Sequence, residues 1–461
     1  MKTGIPVFLA LALFASAAPL CAQEAPAGGP AAGQRPRGIV GEIQGEKFKT
    51  TYIRLGQQGE GLLYEPTTPN NGKERIALVF THPGANNFTA NIGREMASRG
   101  YRVMNINYRG DLEGGRVDIQ LPTISAAVAY LRTLPGVQKV IVTGHSGGAH
   151  QMALYENVAE NGVSACNGPE KVYPCRTQGL EKLEKPDGLV LLDPPLGAFH
   201  EASSIDPAVG ADVTKRDPKL DMFSKANGFD AAAGKATYSA EFAKRYYAAQ
   251  VVKTNKTVAA AQERLKAIEA GKSPYSNDEP FIVPGLGADA GGARLYQSDL
   301  SMVEHTKAPH LLIKADGTRA EQIIHTVRPA NFQAARDTRV LGDASQATTV
   351  TGYLSHSAIR LLPDFAISED DIVGVDWKSA FDSGPGNAYG INRPTLVLAM
   401  GCHYLMVPGE LYYDRLPAKD KTMTVIEGAT HGFTACKPQY GDTTKRTFDY
   451  LDEWLSKAGR F

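Results

Sequence analysis

The sequence lacks the features that mark several large classes of protein. Its 461 residues contain 49 Lys+Arg and 49 Asp+Glu, so the basic excess that nucleic-acid binders usually carry is missing. It shows no heptad pattern, no internal repeat and no CxxC pair of the zinc type. Beyond its N-terminal segment, no stretch approaches the roughly 18 consecutive apolar residues of a membrane-spanning helix. These absences favour a soluble enzyme or binding protein that acts on a small molecule.

The N-terminal segment has the pattern of a secretory signal. Lys2 precedes an apolar run that is too short to span a bilayer, and small residues follow it. We therefore predict a signal peptide over 1–22, cleaved after Ala18 or Ala22, and a Pro/Gly/Ala-rich linker over 23–37. The mature chain is expected to be exported, periplasmic or secreted, without stable membrane insertion. Its oligomeric state is not indicated.

Removal of the signal leaves four cysteines. An even number in an oxidising compartment indicates two disulfides. Pairing Cys166 with Cys175 would close a small loop, and Cys402–Cys436 is the remaining pair. Four free thiols and the two other connectivities remain alternatives.

Strand patterns alternate with helical patterns over much of the chain. Short β-like runs at 39–40, 51–55 and 61–64 come first. Buried-strand patterns then occur at 76–80, 101–108, 137–143, 188–192, 395–400 and 422–426, and helical patterns at 91–99, 121–134, 149–160 and 444–458. This alternation predicts an α/β fold with a mostly parallel central sheet flanked by helices.

The alternation is interrupted between residues 194 and 392. This stretch contains one long helical pattern at 239–270 and a short apolar run at 310–314, surrounded by loops rich in Gly, Asp and Ser. It is too long for a connection, so we predict a large, mainly helical or irregular cap over the carboxyl edge of the sheet. Residues 38–193 and 393–461 would form the two parts of the core.

A G-x-S-x-G motif occupies residues 144–148, between a β-branched strand and a helix. Flanking glycines allow the turn to hold Ser146 in a strained conformation with its hydroxyl exposed, and direct the Gly147 N–H toward a developing oxyanion. With this motif the chain resembles the α/β-hydrolase superfamily over about residues 76–193 and 393–458. The resemblance implies a serine nucleophile and a variable cap.

The resemblance also implies a second oxyanion donor and a general base. The donor is expected in the loop after an earlier strand, where the N–H of Gly84 or Ala85 is the candidate and His82 braces the loop. The base is expected after the last strand, where His431 lies in a G-x-x-H-G sequence and follows Ser146 in the chain order of this fold. A neutral imidazole can take the serine proton and return it to the leaving group.

The acid of the triad departs from the usual pattern. Tyr404 stands where the superfamily usually has Asp, and tyrosine supplies no carboxylate. Glu410 is the first candidate, because it has extra reach and a Cys402–Cys436 disulfide would tie its loop to the histidine loop. Asp193, directly after the strand at 188–192, is the alternative. Asp414, or no acid at all, also remains open.

These residues predict a serine hydrolase that cleaves a carboxylic ester or lactone. An amidase, a peptidase or a carbon–carbon bond hydrolase would use the same nucleophile and oxyanion hole. A non-catalytic binding protein on this scaffold is a further alternative. No H-E-x-x-H, EF-hand, Walker or dinucleotide-binding motif is present, so neither a metal nor a cofactor is predicted, and the expected partner is a small ester or related acyl substrate.

Overall fold

The computed structural model describes Gly45 and residues 47–68, 72–110, 115–287, 294–330 and 345–461. The predicted signal peptide, the linker and the β-like run at 39–40 lie outside these residues.

A large mixed sheet organises the described part of the chain. Its strands are β1 (Phe48–Leu55), β2 (Gly59–Pro66), β3 (Ile76–Thr81), β4 (Arg102–Tyr108), β5 (Lys139–His145), β6 (Gly188–Leu192), β10 (His310–Ile313), β11 (Arg319–Gln322), β15 (Thr395–Met400) and β16 (Lys421–Ile426). Their order in the sheet is β1-β2-β4-β3-β5-β6-β15-β16-β10-β11. The run from β4 to β10 is parallel throughout. At one end β2 and β1 continue the sheet through two antiparallel pairs, and at the other end β11 pairs antiparallel with β10.

Helices cover both faces of this sheet, as expected when successive parallel strands are joined by crossover helices. They are α1 (Asn91–Ala97), α2 (Leu121–Thr133), α3 (Gly147–Asn161), α9 (Met406–Arg415) and α10 (Thr443–Ser456). Alternate strand residues serve opposite faces. Leu78 belongs to the core formed with α1 and α10, whereas Val79 belongs to the core formed with α2, α3 and α9. The predicted α/β class and parallel sheet are therefore confirmed.

The segment predicted as a cap carries further helices and three two-stranded sheets. Its helices are α4 (Ala198–Ala202), α5 (Ala240–Glu269), α6 (Leu295–Ser298), α7 (Val350–His356) and α8 (Gly384–Ala388). The small sheets pair β7 (Phe229–Asp230) with β8 (Lys235–Ala236), β9 (Pro280–Pro284) with β12 (Ser345–Thr349), and β13 (Arg360–Ile367) with β14 (Ile372–Asp376). The long helix begins where the sequence predicts, because the Ser239 side chain caps it by accepting from the Phe242 N–H.

One part of the segment 194–392 lies in the central sheet instead of a cap. Strand β10 pairs in parallel with β16, matching Leu311 with Thr424, and β11 extends this edge. The apolar run at 310–314 is thus a sheet strand. Its partner lies more than a hundred residues further along the chain, so the local pattern did not reveal the pairing.

Among the helices of the described residues, none combines the length and apolar character needed to cross a membrane. The longest, α5, has 30 residues, but lysines, arginines and glutamates recur along it.

Candidate active site

Ser146 lies on a tight turn between β5 and α3. Its backbone has φ 52° and ψ −130°, a left-handed conformation that is rare for a residue with a side chain. Two neighbouring glycines make the turn possible through close backbone approach. A Cβ on Gly144 would lie 2.1 Å from the Gly148 carbonyl oxygen, and one on Gly148 would lie 2.0 Å from the Thr81 carbonyl oxygen. The turn therefore presents Ser146 at the carboxyl edge of the sheet and at the N-terminus of α3.

Asp193 lies at the end of the adjacent strand. In the register of β5 and β6, His145 is opposite Leu192, and the Ser146 N–H donates to the Leu192 carbonyl at 3.1 Å. Asp193 follows Leu192 directly and has a positive φ of 45°. Parallel pairing thus brings a serine and a carboxylate to the same edge, each in a strained backbone conformation.

The Asp193 carboxylate is fully buried and accepts hydrogen bonds from two imidazoles. Nδ1 of His431 and Nδ1 of His403 each lie 2.6 Å from the same oxygen, Oδ2. The Met400 N–H donates to Oδ1 at 3.1 Å. Because an ionised carboxylate only accepts, each Nδ1 is the protonated nitrogen of its ring. In His431 this leaves Nε2 free to act as a base.

Electrostatics keep this carboxylate ionised. Burial alone would raise the pKa of Asp193, but the charges and hydrogen bonds of His403 and His431 outweigh it and hold that pKa well below its usual range. For the imidazole of His403, burial is the larger effect. It lowers the pKa of His403, and the attraction of Asp193 offsets only part of that decrease.

Glu410, the first candidate for the acid, does not contact His431. It lies within α9, and its carboxylate accepts from the Lys307 and Ala308 N–H groups at 2.7 and 2.8 Å and pairs with His310 Nε2 at 2.8 Å. The helix directs this side chain toward the segment leading into β10, which the sequence pattern did not place. The alternative, Asp193, is the carboxylate that reaches His431. Asp414 lies one turn further along α9, beside Glu410, whose charge adds to burial in raising its pKa.

His145 connects the serine turn to the histidine loop. Its Nε2 lies 2.8 Å from the His431 carbonyl oxygen, and since a carbonyl only accepts, Nε2 carries the proton. The His145 ring packs 4.6 Å from the rings of both His431 and Phe433. Burial and the charge of His431 lower the pKa of His145 to about 3, so it stays neutral. The hydrogen bond fixes the backbone that carries His431.

The loop after β3 lies against the start of α3. A Cβ on Gly147 would lie 3.2 Å from the Pro83 ring, so the predicted oxyanion donor is next to the loop that carries Gly84 and Ala85. The His82 ring bonds to the Pro83 carbonyl at 2.7 Å, in keeping with a bracing role. A cavity of about 430 Å³ opens beside this loop and has a largely polar lining that includes Glu60, His82, Gly84, Ala85, Asn86, Asn107, Tyr108 and Arg109. Its size suits a small ligand.

Both predicted cysteine pairs lie at disulfide distance. The Cα atoms of Cys166 and Cys175 are 5.5 Å apart, and those of Cys402 and Cys436 are 6.4 Å apart. The second pair joins the loop after β15 to the loop after β16. Since His403 and His431 lie on these two loops, this disulfide ties together the two imidazoles that share Asp193.

One group of side chains among the described residues has the composition of a metal site, namely Asp193, His403 and His431. Two ligands of one tetrahedral zinc ion, each at about 2.0 Å, are separated by roughly 3.3 Å. The 2.6 Å separations from Asp193 Oδ2 to each imidazole are shorter. The spacing is therefore that of hydrogen-bonded partners.

His403 is the site residue that the sequence analysis missed. It follows Cys402 at the end of β15, where the superfamily pattern directs attention to the next position, Tyr404. The usable signal was the combination of Asp193 directly after a buried strand with a histidine three residues after the end of the neighbouring strand. The carboxyl ends of neighbouring parallel strands meet at one edge.

No protein family and no curated protein matches the sequence. Among solved structures, the chain is similar to DcsB in complex with its substrate analogue, with 12% identity, 88% of this chain and 98% of that chain covered, and a TM-score of 0.41. It is also similar to a monoacylglycerol lipase of Paleococcus ferrophilus, with 14% identity, 87% of this chain and 98% of that chain covered, and a TM-score of 0.38.

A third similar structure is esterase B of Lactobacillus rhamnosis, inhibited by a C6-C4 SN3 compound, at 20% identity and a TM-score of 0.29. That match covers 36% of this chain and spans only about half, 55%, of the esterase.

The strand order, the seven consecutive parallel strands of the described residues and the strained serine turn between β5 and α3 carry the assignment of the fold. The chain has the fold of the α/β-hydrolase superfamily.

Proposed function

We propose that this chain is an exported serine hydrolase that cleaves a carboxylic ester or lactone through an acyl-enzyme on Ser146. The observation that carries the proposal is the left-handed serine at the end of β5, next to a strand whose following residue, Asp193, bonds at 2.6 Å to His431. A nucleophile, a base with one free nitrogen and a buried acid then share one sheet edge.

In the first half of the reaction, the Ser146 Oγ attacks the carbonyl carbon while its proton passes to His431 Nε2. The carbonyl π pair moves to oxygen, where the N–H of Gly147 and that of Gly84 or Ala85 stabilise the negative charge. When the tetrahedral intermediate collapses, the bond to the leaving alkoxide breaks and His431 returns the proton to it. Asp193 remains ionised and stabilises the imidazolium.

In the second half, water replaces the alcohol. His431 Nε2 takes a proton from the water as its oxygen attacks the acyl carbon, and the same N–H groups hold the second oxyanion. Collapse breaks the bond to Ser146, which recovers its proton from His431. The products are a carboxylic acid and an alcohol, or one hydroxy acid from a lactone.

The first test is labelling of the purified mature chain with a fluorophosphonate, followed by peptide mapping. We expect one adduct, on Ser146, which is absent from Ser146→Ala and from His431→Ala and unchanged in the control Ser164→Ala, whose side chain is exposed in the short 3-10 helix Val163–Ala165. Labelling elsewhere, or no labelling of a folded chain, would contradict an activated Ser146 and favour a binding protein.

Matched 4-nitrophenyl esters and 4-nitroanilides of the same acyl groups then identify the bond. A large excess of ester over anilide hydrolysis, lost in Ser146→Ala, is expected. Faster cleavage of the anilide would favour an amidase or peptidase instead.

Export is tested separately by expressing the full sequence in a bacterium and determining the N-terminus of the product. We expect cleavage after Ala18 or Ala22 and recovery from the periplasm or medium. An intact N-terminus in the cytoplasm would contradict export.

A further inference from the structure

The proposed mechanism uses one imidazole at Asp193, but the structure has two. His403 lies in the turn after β15, with its ring 4.6 Å from that of His431 and 4.3 Å from that of Tyr404. Its Nδ1 reaches the same carboxylate oxygen as His431 Nδ1, at the same 2.6 Å distance.

We propose that His403 is a positioning residue of the proposed hydrolase: its Nδ1–H shares the Asp193 carboxylate with His431 and holds the acid in the position that orients His431. This inference rests on the proposed function. His403 touches no reacting atom in the scheme above, so its effect passes through Asp193.

The buried carboxylate of Asp193 needs every hydrogen-bond donor that it has. Asp193 has no exposed surface and accepts only three hydrogen bonds from the described residues, one from the Met400 N–H and two from imidazoles. A buried carboxylate that loses a donor becomes undersatisfied. Without His403, Oδ2 would hold a single partner, His431, and the acid could rotate away from the position that orients it.

The environment of His403 is consistent with a donor held at Asp193. Burial lowers the pKa of His403, and the attraction and hydrogen bond of Asp193 offset only part of that effect. The titratable and charged groups around the two imidazoles are Asp193, Arg328, His82, His145 and His200.

The position of His403 relative to His431 is fixed by the connections between their two loops. His403 directly follows Cys402, whose N–H donates to the Ala429 carbonyl at 2.8 Å and whose sulfur pairs with Cys436. The loops that carry the two imidazoles are thus joined by a backbone hydrogen bond and a disulfide. This places the His403 donor in a fixed relation to His431.

The test compares His403→Leu, which removes the donor, with His403→Asn, whose amide nitrogen can occupy the position of Nδ1. His325→Leu is the control, since His325 is an exposed histidine paired with Glu304. On a 4-nitrophenyl ester, we expect His403→Leu to lower kcat about 10- to 100-fold with KM within about twofold, the value of one hydrogen bond to a charged group. His403→Asn should recover most of this loss, and the control should equal the wild type.

A spectroscopic readout separates positioning from a merely structural contribution. In proton NMR, the wild type should show low-field imidazole N–H resonances for both His403 and His431, beside those of His150 and His310, which also bond to buried carboxylates. His403→Leu should lose the His403 resonance and keep the other three.

A His403→Leu variant with wild-type kcat on a 4-nitrophenyl ester would overturn the inference while leaving the proposed hydrolase intact. So would a folded His403→Asn variant as impaired as His403→Leu, because shape and not the donor would then matter. If the wild type neither hydrolyses esters nor labels on Ser146, the proposed function fails. The assigned NMR spectrum of the wild type then decides whether the carboxylate is shared, since the absence of a low-field N–H resonance from either His403 or His431 would refute it. The same spectrum serves if His403→Leu does not fold.

Discussion

Two buried carboxylates in this molecule have nearly the same immediate chemistry and very different surroundings. Asp193 accepts from two imidazoles and one backbone N–H, and Glu410 accepts from one imidazole and two backbone N–H groups. The imidazole beside Glu410, His310, is buried, with 5% of its side chain exposed. Those beside Asp193 are more open, at 33% for His431 and 19% for His403.

A histidine–carboxylate pair is therefore a candidate site only where the imidazole is also accessible and lies beside a possible nucleophile. The Glu410 pair links α9 to the segment before β10, and both of its oxygens are used to hold backbone. The Asp193 pair ends on His431, whose side chain is 33% exposed and whose ring packs 4.6 Å from that of His145, the residue before Ser146. The same hydrogen bond therefore supports tertiary structure in one place and proposed catalysis in the other.

Neutralising each carboxylate in turn tests which of the two supports turnover. We expect Asp193→Asn to lower kcat by about 10⁴-fold, because the amide favours the wrong tautomer of His431. Glu410→Gln should leave kcat within about threefold of the wild type, because it contacts no part of the proposed machinery. Ester turnover by both purified variants checks this. The reverse order of effects would restore Glu410 as the acid.

For Glu410 we expect a large effect on stability, in contrast to its small expected effect on kcat. Its removal in Glu410→Ala leaves the Lys307 and Ala308 N–H groups and His310 without their acceptor, so we expect the free energy of unfolding to fall by about 3–5 kcal/mol. Glu410→Gln keeps one oxygen acceptor and should lose less. Urea unfolding measures both. An unchanged midpoint for Glu410→Ala would show that this cluster does not hold the segment before β10.

The two disulfides extend the comparison from side chains to loops. Replacing both cysteines of the Cys402–Cys436 pair, which are 34 residues apart, should cost up to about 4 kcal/mol, and replacing the Cys166–Cys175 pair, 9 apart, up to about 2.5 kcal/mol. Only the first double serine variant should also lower kcat, since it frees the loops of His403 and His431. Urea midpoints and ester turnover together test this. Equal kcat values for the two variants would contradict it.

The smallest expected effect is an acid sensitivity of the histidine-rich site. His145 has a folded-state pKa of about 3, below the ordinary value of about 6.5 that it regains on unfolding. The unfolded chain therefore binds the proton first, so stability that is present above pH 6.5 is lost as the pH falls. For this one group the loss should reach up to about 1 kcal/mol between pH 6.5 and 5.5.

The matched variant is His145→Gln, which keeps a donor for the His431 carbonyl but does not titrate. Its free energy of unfolding should fall less steeply than that of the wild type over the same pH range. Parallel curves for the two proteins would show that His145 is not buried as a neutral imidazole.

Much of the fold was predictable from local patterns. The strands at 188–192 and 395–400 and the helix over 239–270 were found because continuous apolar runs and helix-forming stretches are short-range signals. The turn at Ser146 was likewise identified by its own glycines. Strand β10 was recognised as a short apolar run, but its membership of the sheet depends on β16, to which no local pattern points.

The candidate acid shows where such reasoning stops. Glu410 and Asp193 were both plausible by chain position, and reach along the sequence favoured Glu410. The structure brings Asp193 to His431 because β6 lies between β5 and β15, while α9 turns Glu410 toward β10. Which carboxylate reaches His431 depends on the direction in which each side chain leaves its strand or helix and on which elements lie next to it. Distance along the sequence gives neither.

Short-range steric rules and counting were enough to predict the α/β architecture, the strained turn at Ser146, the place of His431 after the last strand of the core and two disulfides among four cysteines, with their connectivity left open. The folded chain was needed to show which carboxylate meets His431 and that a second imidazole, His403, shares it. Those contacts form between strand ends that are more than two hundred residues apart in the chain, and the order of strands in the sheet alone brings them together.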